Sequence, residues 1–364
     1  MKKILCTTAL VGTTILTGVN ISAAQTTITG QLDLSYKSIS SNGNTVATGT
    51  AASYRGIGKE TQINISNKGN LNVAGLSYVA GFSLEADGSE TLAGGAHTEN
   101  TYLDIISGNT TLSISADHIQ NPDFEITNIA GGKADIDDVA HGIGGAASLA
   151  NTHATNNANS AYQAPSISLI QNIPGIARVS LSYAPSNTNA GAVADNQPVA
   201  KAASGDAGQS QYDIMIDGDF GVKGARAFYA MNKAQSETPG TAATASDKKG
   251  QKYGASYNFG QVTLAASKSS VQSTSNVDAD TTSFAIAYAI NKDATINLIR
   301  AKTNAQGTTT TAIAATPDEK LTGVNIGYNL GPVTLNAWYV DGDNVGGATT
   351  GEGKAAMLLA TTRF

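Results

Sequence analysis

The chain has 364 residues, with 22 Lys and Arg against 28 Asp and Glu, a single cysteine and 39 glycines. A formal charge of −6 excludes the strongly basic face that a nucleic-acid partner requires. One cysteine excludes a disulfide framework, and beyond the first residues no apolar run is long enough for a transmembrane helix.

The chain opens MKKILCTTALVGTTILTGVNISAAQ. Lys2 and Lys3 precede a mostly apolar run from Ile4 to Leu16, and Ser22, Ala23 and Ala24 supply small residues at a cleavage site. This pattern predicts a secretory signal over 1–24. Its removal takes Cys6 and two lysines, leaves 340 residues and moves the formal charge to −8. Residues 25–364 are expected to form one domain, because no linker, charge block or change of period divides them.

Period-two alternation then recurs along the chain. In ITGQLDLSY, Ile28, Leu32, Leu34 and Tyr36 oppose Thr29, Gln31, Asp33 and Ser35. TLSISADH, RVSLSY, KYGASYNFG and GVNIGYNLG alternate the same way. The final GKAAMLLATTRF places Ala356, Leu358, Ala360, Thr362 and Phe364 on one side of a strand. Such runs are half-buried strands. Tight turn signals follow at Asn67, Ser107, Asn172, Gly218, Asn258, Ile290 and Asn329. Between them lie polar connections over 38–54, 87–98, 119–162, 185–209, 234–249, 269–280, 303–319 and 341–352. Connections this long are uncommon in compact soluble domains.

Short turn and long loop alternate, which matches the two rims of an outer-membrane barrel. A soluble fold of about sixteen such strands would need a very large apolar core. The apolar faces here mix Ala, Leu, Ile and Val with Tyr and Phe at strand ends, as a lipid-facing band with interfacial aromatics does. The expected fold is all-β: a transmembrane antiparallel barrel of about sixteen strands, with short periplasmic turns and long external loops. Closure removes sheet edges and satisfies the backbone without disulfides. The last strand must pair with the first, with Phe364 as an interfacial anchor for assembly.

The opening strand TTITGQLDLSY, the segment SYRGIGKETQINISNKGNL, the strand starts FGQVTL and LGPVTLNAWYVDGD, and the terminal ATTRF together resemble the general bacterial porins. These are trimeric sixteen-stranded diffusion channels, and the resemblance covers the whole mature chain. It implies a homotrimer in the bacterial outer membrane, in contact with lipid. It also implies a third loop folded into the pore, which here corresponds to 119–162. Thr362 departs from the family pattern, which usually has an aromatic or bulky apolar residue at that place; this implies a weaker assembly signal.

The long loop carries Asp123, Glu125, Asp135, Asp137 and Asp138. Facing basic residues on the wall, these would set a transverse field at the constriction. Parity selects Arg178, Arg226 and Lys252 as wall residues, and the resemblance adds Arg55 and Lys59. Asp33, Glu60, Glu85, Asp104, Asp117, Asp213 and Asp217 are expected in the lumen by parity. They outnumber the lumenal basics, so a modest cation preference is expected. Arg300 and Lys302 break the alternation set by Ile296 and Leu298, so they are expected above the lipid band or after a bulge. Asp135, Asp137 and Asp138 are also a weak calcium candidate, without the glycine and closing glutamate of an EF-hand. His118, His141 and His153 lack zinc-ligand spacing. No Ser elbow, HExxH, phosphate loop or CxxC is present. The expectation is a non-enzymatic, cofactor-free channel for ions and small hydrophilic solutes. The alternative is an adhesin acting through its long loops.

Overall fold

The computed structural model describes residues 24–41, 53–87, 97–116, 126–132, 134–145, 148, 150, 166–184, 209–236, 248–273, 278–306, 317–347, 349 and 351–364. All of the predicted signal but its last residue, Ala24, lies outside them. Sixteen strands run in chain order: β1 (Gln25–Ser41), β2 (Ser53–Asn70), β3 (Leu76–Asp87), β4 (His97–Ser107), β5 (Thr110–Ala116), β6 (Ser166–Ile173), β7 (Ala177–Ala184) and β8 (Gln209–Gly218), then β9 (Ala225–Ser236), β10 (Lys248–Asn258), β11 (Val262–Ser273), β12 (Asp278–Ala289), β13 (Ala294–Gln306), β14 (Glu319–Asn329), β15 (Val333–Asp343) and β16 (Gly353–Arg363). Each pairs antiparallel with its chain neighbours, and β1 pairs with β16 to close the barrel. Among the described residues a short α-helix, α1 (Ile136–Ala140), interrupts the all-β order.

Closure explains the ordered C-terminus. The Phe364 N–H donates to the Gly30 carbonyl at 3.0 Å, and the Gly30 N–H donates back to the Phe364 carbonyl at 2.7 Å. The Phe364 ring lies over Gly30, where a Cβ would overlap it. Leu34 pairs with Ala360 and Tyr36 with Leu358, so the apolar sides of the two strands form one outer surface. Across the lumenal side Asp33 pairs with Thr361, whose hydroxyl donates to the Asp33 carboxylate.

The outer faces are apolar and exposed, among them Leu112, Ile114, Leu169, Leu181, Ile214, Leu264, Ile286 and Ile326. In water that surface would oppose folding; in a bilayer it is the solvated face. Aromatics crowd the short-turn rim, where Tyr257 and Phe259 meet edge-on at 4.6 Å between ring centres. Among the described residues no helix is long and apolar enough to cross a membrane. The first tight turn is displaced from its expected place. NKGN lies inside β2, and the chain reverses over 71–75, with Gly75 at φ 81°. That left-handed conformation favours glycine.

The inward faces depart from the uniformly polar lumen expected from the sequence. Those of β13 to β16 carry Ile299, Ala301, Leu321, Trp338, Val340, Ala355 and Leu359, all buried. They pack on Ile126, Ile136, Val139, Ala140 and Ile143 of the segment between β5 and β6. Each large side chain buried this way stabilises the seat by roughly 1.5–3 kcal/mol. The core of the protein therefore sits inside the barrel, on one side of it.

Candidate functional site

The described residues between 126 and 150 form an inner lining along β13 to β16. The segment can be followed by what it touches. Near the short-turn ends of the strands, Asn297 on β13 donates from Nδ2 to the Thr127 carbonyl at 2.8 Å. Its ladder partner Asn325 donates to Asn128 Oδ1 at 3.0 Å. A Cβ on Gly327 would overlap the Ala130 carbonyl, so only glycine lets the two backbones approach there. Further up the barrel, Ile136 meets Gly323 and Val340. Ile143 then meets Gly342 and Gly353 near the opposite rim. There Glu319, fully buried, accepts from Ser148 Oγ at 2.7 Å, the Ala150 N–H at 2.8 Å and the Gly346 N–H at 2.8 Å. Apolar packing holds the middle of the segment, and polar anchors hold both ends.

Helix α1 is fixed at both ends as well. Asp135, 4% exposed, is its N-cap and forms a reciprocal capping box with Asp138. The Asp135 N–H donates to Asp138 Oδ2 at 2.9 Å. At the C-terminal end, Lys37 on β1 donates from Nζ to the carbonyls of Asp138 at 2.5 Å and His141 at 3.0 Å. A cation there satisfies carbonyls that the short helix leaves unbonded. The sequence reading missed Lys37. Its signal was available: it continues the inward face of Asp33 and Ser35 by two more residues.

The acidic cluster is thus divided. Asp135 is buried in capping, Asp137 is half-buried, and Asp138 is exposed while its carboxylate is engaged in the same box. This corrects the calcium candidate: two of its three carboxylates already serve the helix. Among the described residues no group of His, Cys, Asp and Glu converges as metal ligands. Asp117, Asp123, Glu125, His118 and His153 lie outside the described residues.

On the wall, Asp33, Glu60, Glu85, Asp104, Asp213 and Asp217 all face inward by register. Arg178 and Arg226 also face inward, but beside the short-turn rim. Arg178 stands opposite Asp217, and Arg226 forks onto the same carboxylate through Nε at 3.0 Å and a terminal nitrogen at 2.8 Å. These arginines form a rim cluster rather than the wall of a mid-barrel constriction. Lys252 lies further along the wall, 1% exposed, with Nζ 5.9 Å from the centre of the Phe228 ring.

Arg55 and Lys59 overturn their expectation. They pair with Ser38 and Leu34, on the outer face. Ile57 between them fixes the parity: it stands opposite Tyr36 and is 83% exposed. Lys59 borders a cavity of about 280 Å³ whose lumenal lining includes Asp33, Ser35, Glu60, Ala134, Asp138 and Met357. That cavity is open space between the inner segment and β1 and β2.

A family model described as Gram-negative porin matches residues 7–344. The chain belongs to the Gram-negative porin family. It is therefore an outer-membrane channel protein, in a family of passive channels rather than enzymes. No curated protein is similar enough to match. Many solved structures have the same fold, among them the following three. The anion-selective porin from Comamonas acidovorans superposes with a TM-score of 0.63 at 13% identity, over 94% of this chain and 100% of that one. OmpT of Vibrio cholerae, in trimer form, gives 0.60 at 12% identity, over 94% and 99%. A mutant of the Rh. blastica porin gives 0.58 at 14%, over 93% and 100%.

Proposed function

We propose that this porin forms a water-filled pore for passive diffusion of ions and small hydrophilic solutes, with a modest preference for cations. The observation that carries this reading is the seat of residues 126–150. The segment is held against one side of a closed barrel and leaves polar wall opposite it. That arrangement narrows a lumen without filling it. The cation preference rests on charge placement. Carboxylates outnumber basic groups on the described inward faces and the inner segment. Two of the basic groups, Arg178 and Arg226, are drawn to Asp217 at the rim. The similar porin described as anion-selective shares the fold and 13% of its residues, and selectivity depends on the individual charges rather than on the barrel.

A homotrimer is part of the same proposal. It is supported by the trimer form of the similar Vibrio cholerae protein. Planar-bilayer recording tests the channel reading: stepwise conductance is expected, and a protein that inserts without conducting would overturn it. Reversal potentials in a KCl gradient test selectivity. The cation sign should be clearest at low salt, because the Debye length falls from about 10 Å at 0.1 M to about 3 Å at 1 M.

A further inference from the structure

At the short-turn rim a polar cavity of about 410 Å³ opens between the inner segment and the last strands. Gly132 of the inner segment forms one side, the turn between β14 and β15 another, and the end of β16 a third. Its size falls within the range of roughly 300–1,000 Å³ usual for small-molecule sites. It shares no lining residue with the cavity beside Asp33 and Asp138, and no carboxylate side chain lines it.

Acceptors around this cavity are already engaged. Asn329 Oδ1 accepts from the Gly331 N–H at 2.8 Å, and the Pro332 carbonyl accepts from Thr362 Oγ1 at 3.0 Å. Donors are left over. Arg363 is on the inward side of β16, two residues beyond Thr361, and its ladder partner is Gln31. Its Nε donates to Gln31 Oε1 at 3.1 Å, and Gln31 Nε2 donates to Asp33 at 2.6 Å. That chain fixes the guanidinium through one nitrogen and leaves its two terminal nitrogens as donors. Among the described residues no carboxylate forms an ion pair with Arg363. Asn329 Nδ2 and the Thr334 hydroxyl are uncharged donors on the same lining. A guanidinium fork beside a cavity without carboxylates suits a planar anion, which it can hold by two parallel hydrogen bonds.

We propose that this cavity is a binding site for a small organic carboxylate at the short-turn mouth of the pore. Arg363 grips the carboxylate, Asn329 and Thr334 donate beside it, and the body of the ligand lies against Gly132. An occupant touching Gly132 stands at the foot of the inner segment, so it hinders ions that enter from that side. The channel reading enters only through this last consequence; binding itself is independent of it.

Succinate is the probe, used with the full-length protein folded in detergent and in planar bilayers. Calorimetric titration should give saturable heat with wild type. Arg363→Gln should weaken binding about tenfold, the loss expected for hydrogen bonds to a charged group. Arg363→Lys should recover only part of this, because the charge returns without the fork. Thr334→Leu should also weaken binding by narrowing the cavity, and it leaves the last strand intact if the Arg363 variants assemble poorly. In bilayers, succinate added at the short-turn side should interrupt the current of wild type and not of Arg363→Gln. Succinamide, which has the shape without the charge, should give neither heat nor interruption. Absence of saturable heat with wild type overturns the proposal, and so does equal affinity in Arg363→Gln. Equal binding of sulfate overturns the assignment to carboxylates. Conduction without heat or interruption refutes this site alone, whereas saturable heat in a protein that does not conduct upholds the site and refutes the channel reading.

Discussion

Lys37 reaches across the lumen side of β1 to place its Nζ 2.5 Å from the carbonyl of Asp138, at the end of α1. A single side chain thereby ties the first strand of the barrel to the inner segment. The link joins residues 101 positions apart in the sequence.

Replacing Lys37 with Met keeps the aliphatic stem and removes both hydrogen bonds. The inner segment should lose about 1–3 kcal/mol of anchoring, allowing for solvent screening in the lumen. Open-channel noise should rise and mean conductance should shift, while Lys37→Arg should stay near wild type. Identical current traces for the Met variant would show that apolar packing alone holds α1.

Phe364 and Gly30 make a second testable pair. Deleting Phe364 should impair assembly by removing two backbone hydrogen bonds and a rim aromatic, and replacing it with Asp should do so by exchanging the aromatic for a charge near the lipid boundary. Gly30→Val should do the same from the other side, because its side chain would occupy the space of the ring. Folding yield and the temperature at which the barrel opens in detergent measure this. Normal yield and heat stability in both variants would refute the role given to the terminal residue.

The aspartates of the inner segment should behave unequally. Asp137→Asn should reduce cation preference, since that carboxylate is only half-buried and is outside the capping box. Asp135→Ala should act chiefly on the fold of α1, by about 0.5–2 kcal/mol, as loss of an N-cap side chain does. Reversal potentials and thermal melts of the two variants separate the effects. A selectivity change in Asp135→Ala larger than in Asp137→Asn would contradict this division.

Orientation can be checked on intact cells. An impermeant thiol reagent should label cysteines placed at Gly191, Gly240 and Gly307, which lie in long connections outside the described residues. It should spare Gly260 and Gly331, in the short turns at the other rim. The inverse pattern would turn the barrel over.

The alternation of KYGASYNFG, GVNIGYNLG and GKAAMLLATTRF was enough to determine strands, their two faces and a lipid-facing band. Alternating short and long connections determined a closed up-and-down barrel, because only neighbouring strands can pair when turns are that short. These are local properties with a fixed period, and sequence displays them directly. The inner faces were less legible. Trp338, Val340 and Leu359 read as apolar on what should be a wet side, and the reason appears only once Ile136 and Ile143 are brought against them from nearly two hundred residues away. Gly323 and Gly327 likewise read as merely small, until the backbone of the inner segment is seated on them.

Charge placement was least legible, because it depends on register and height. A shift of one residue exchanges the faces of a strand, and that is why Arg55 and Lys59 stand outside rather than in the pore. Arg178 and Arg226 had the right face, but only the tertiary structure set their height at the rim, beside Asp217. Sequence by itself determined that this chain is a barrel with a lipid-facing band and carboxylates on its inward faces. Which charges meet across that interior was decided by closure, since closure alone fixes where each strand stands relative to the others.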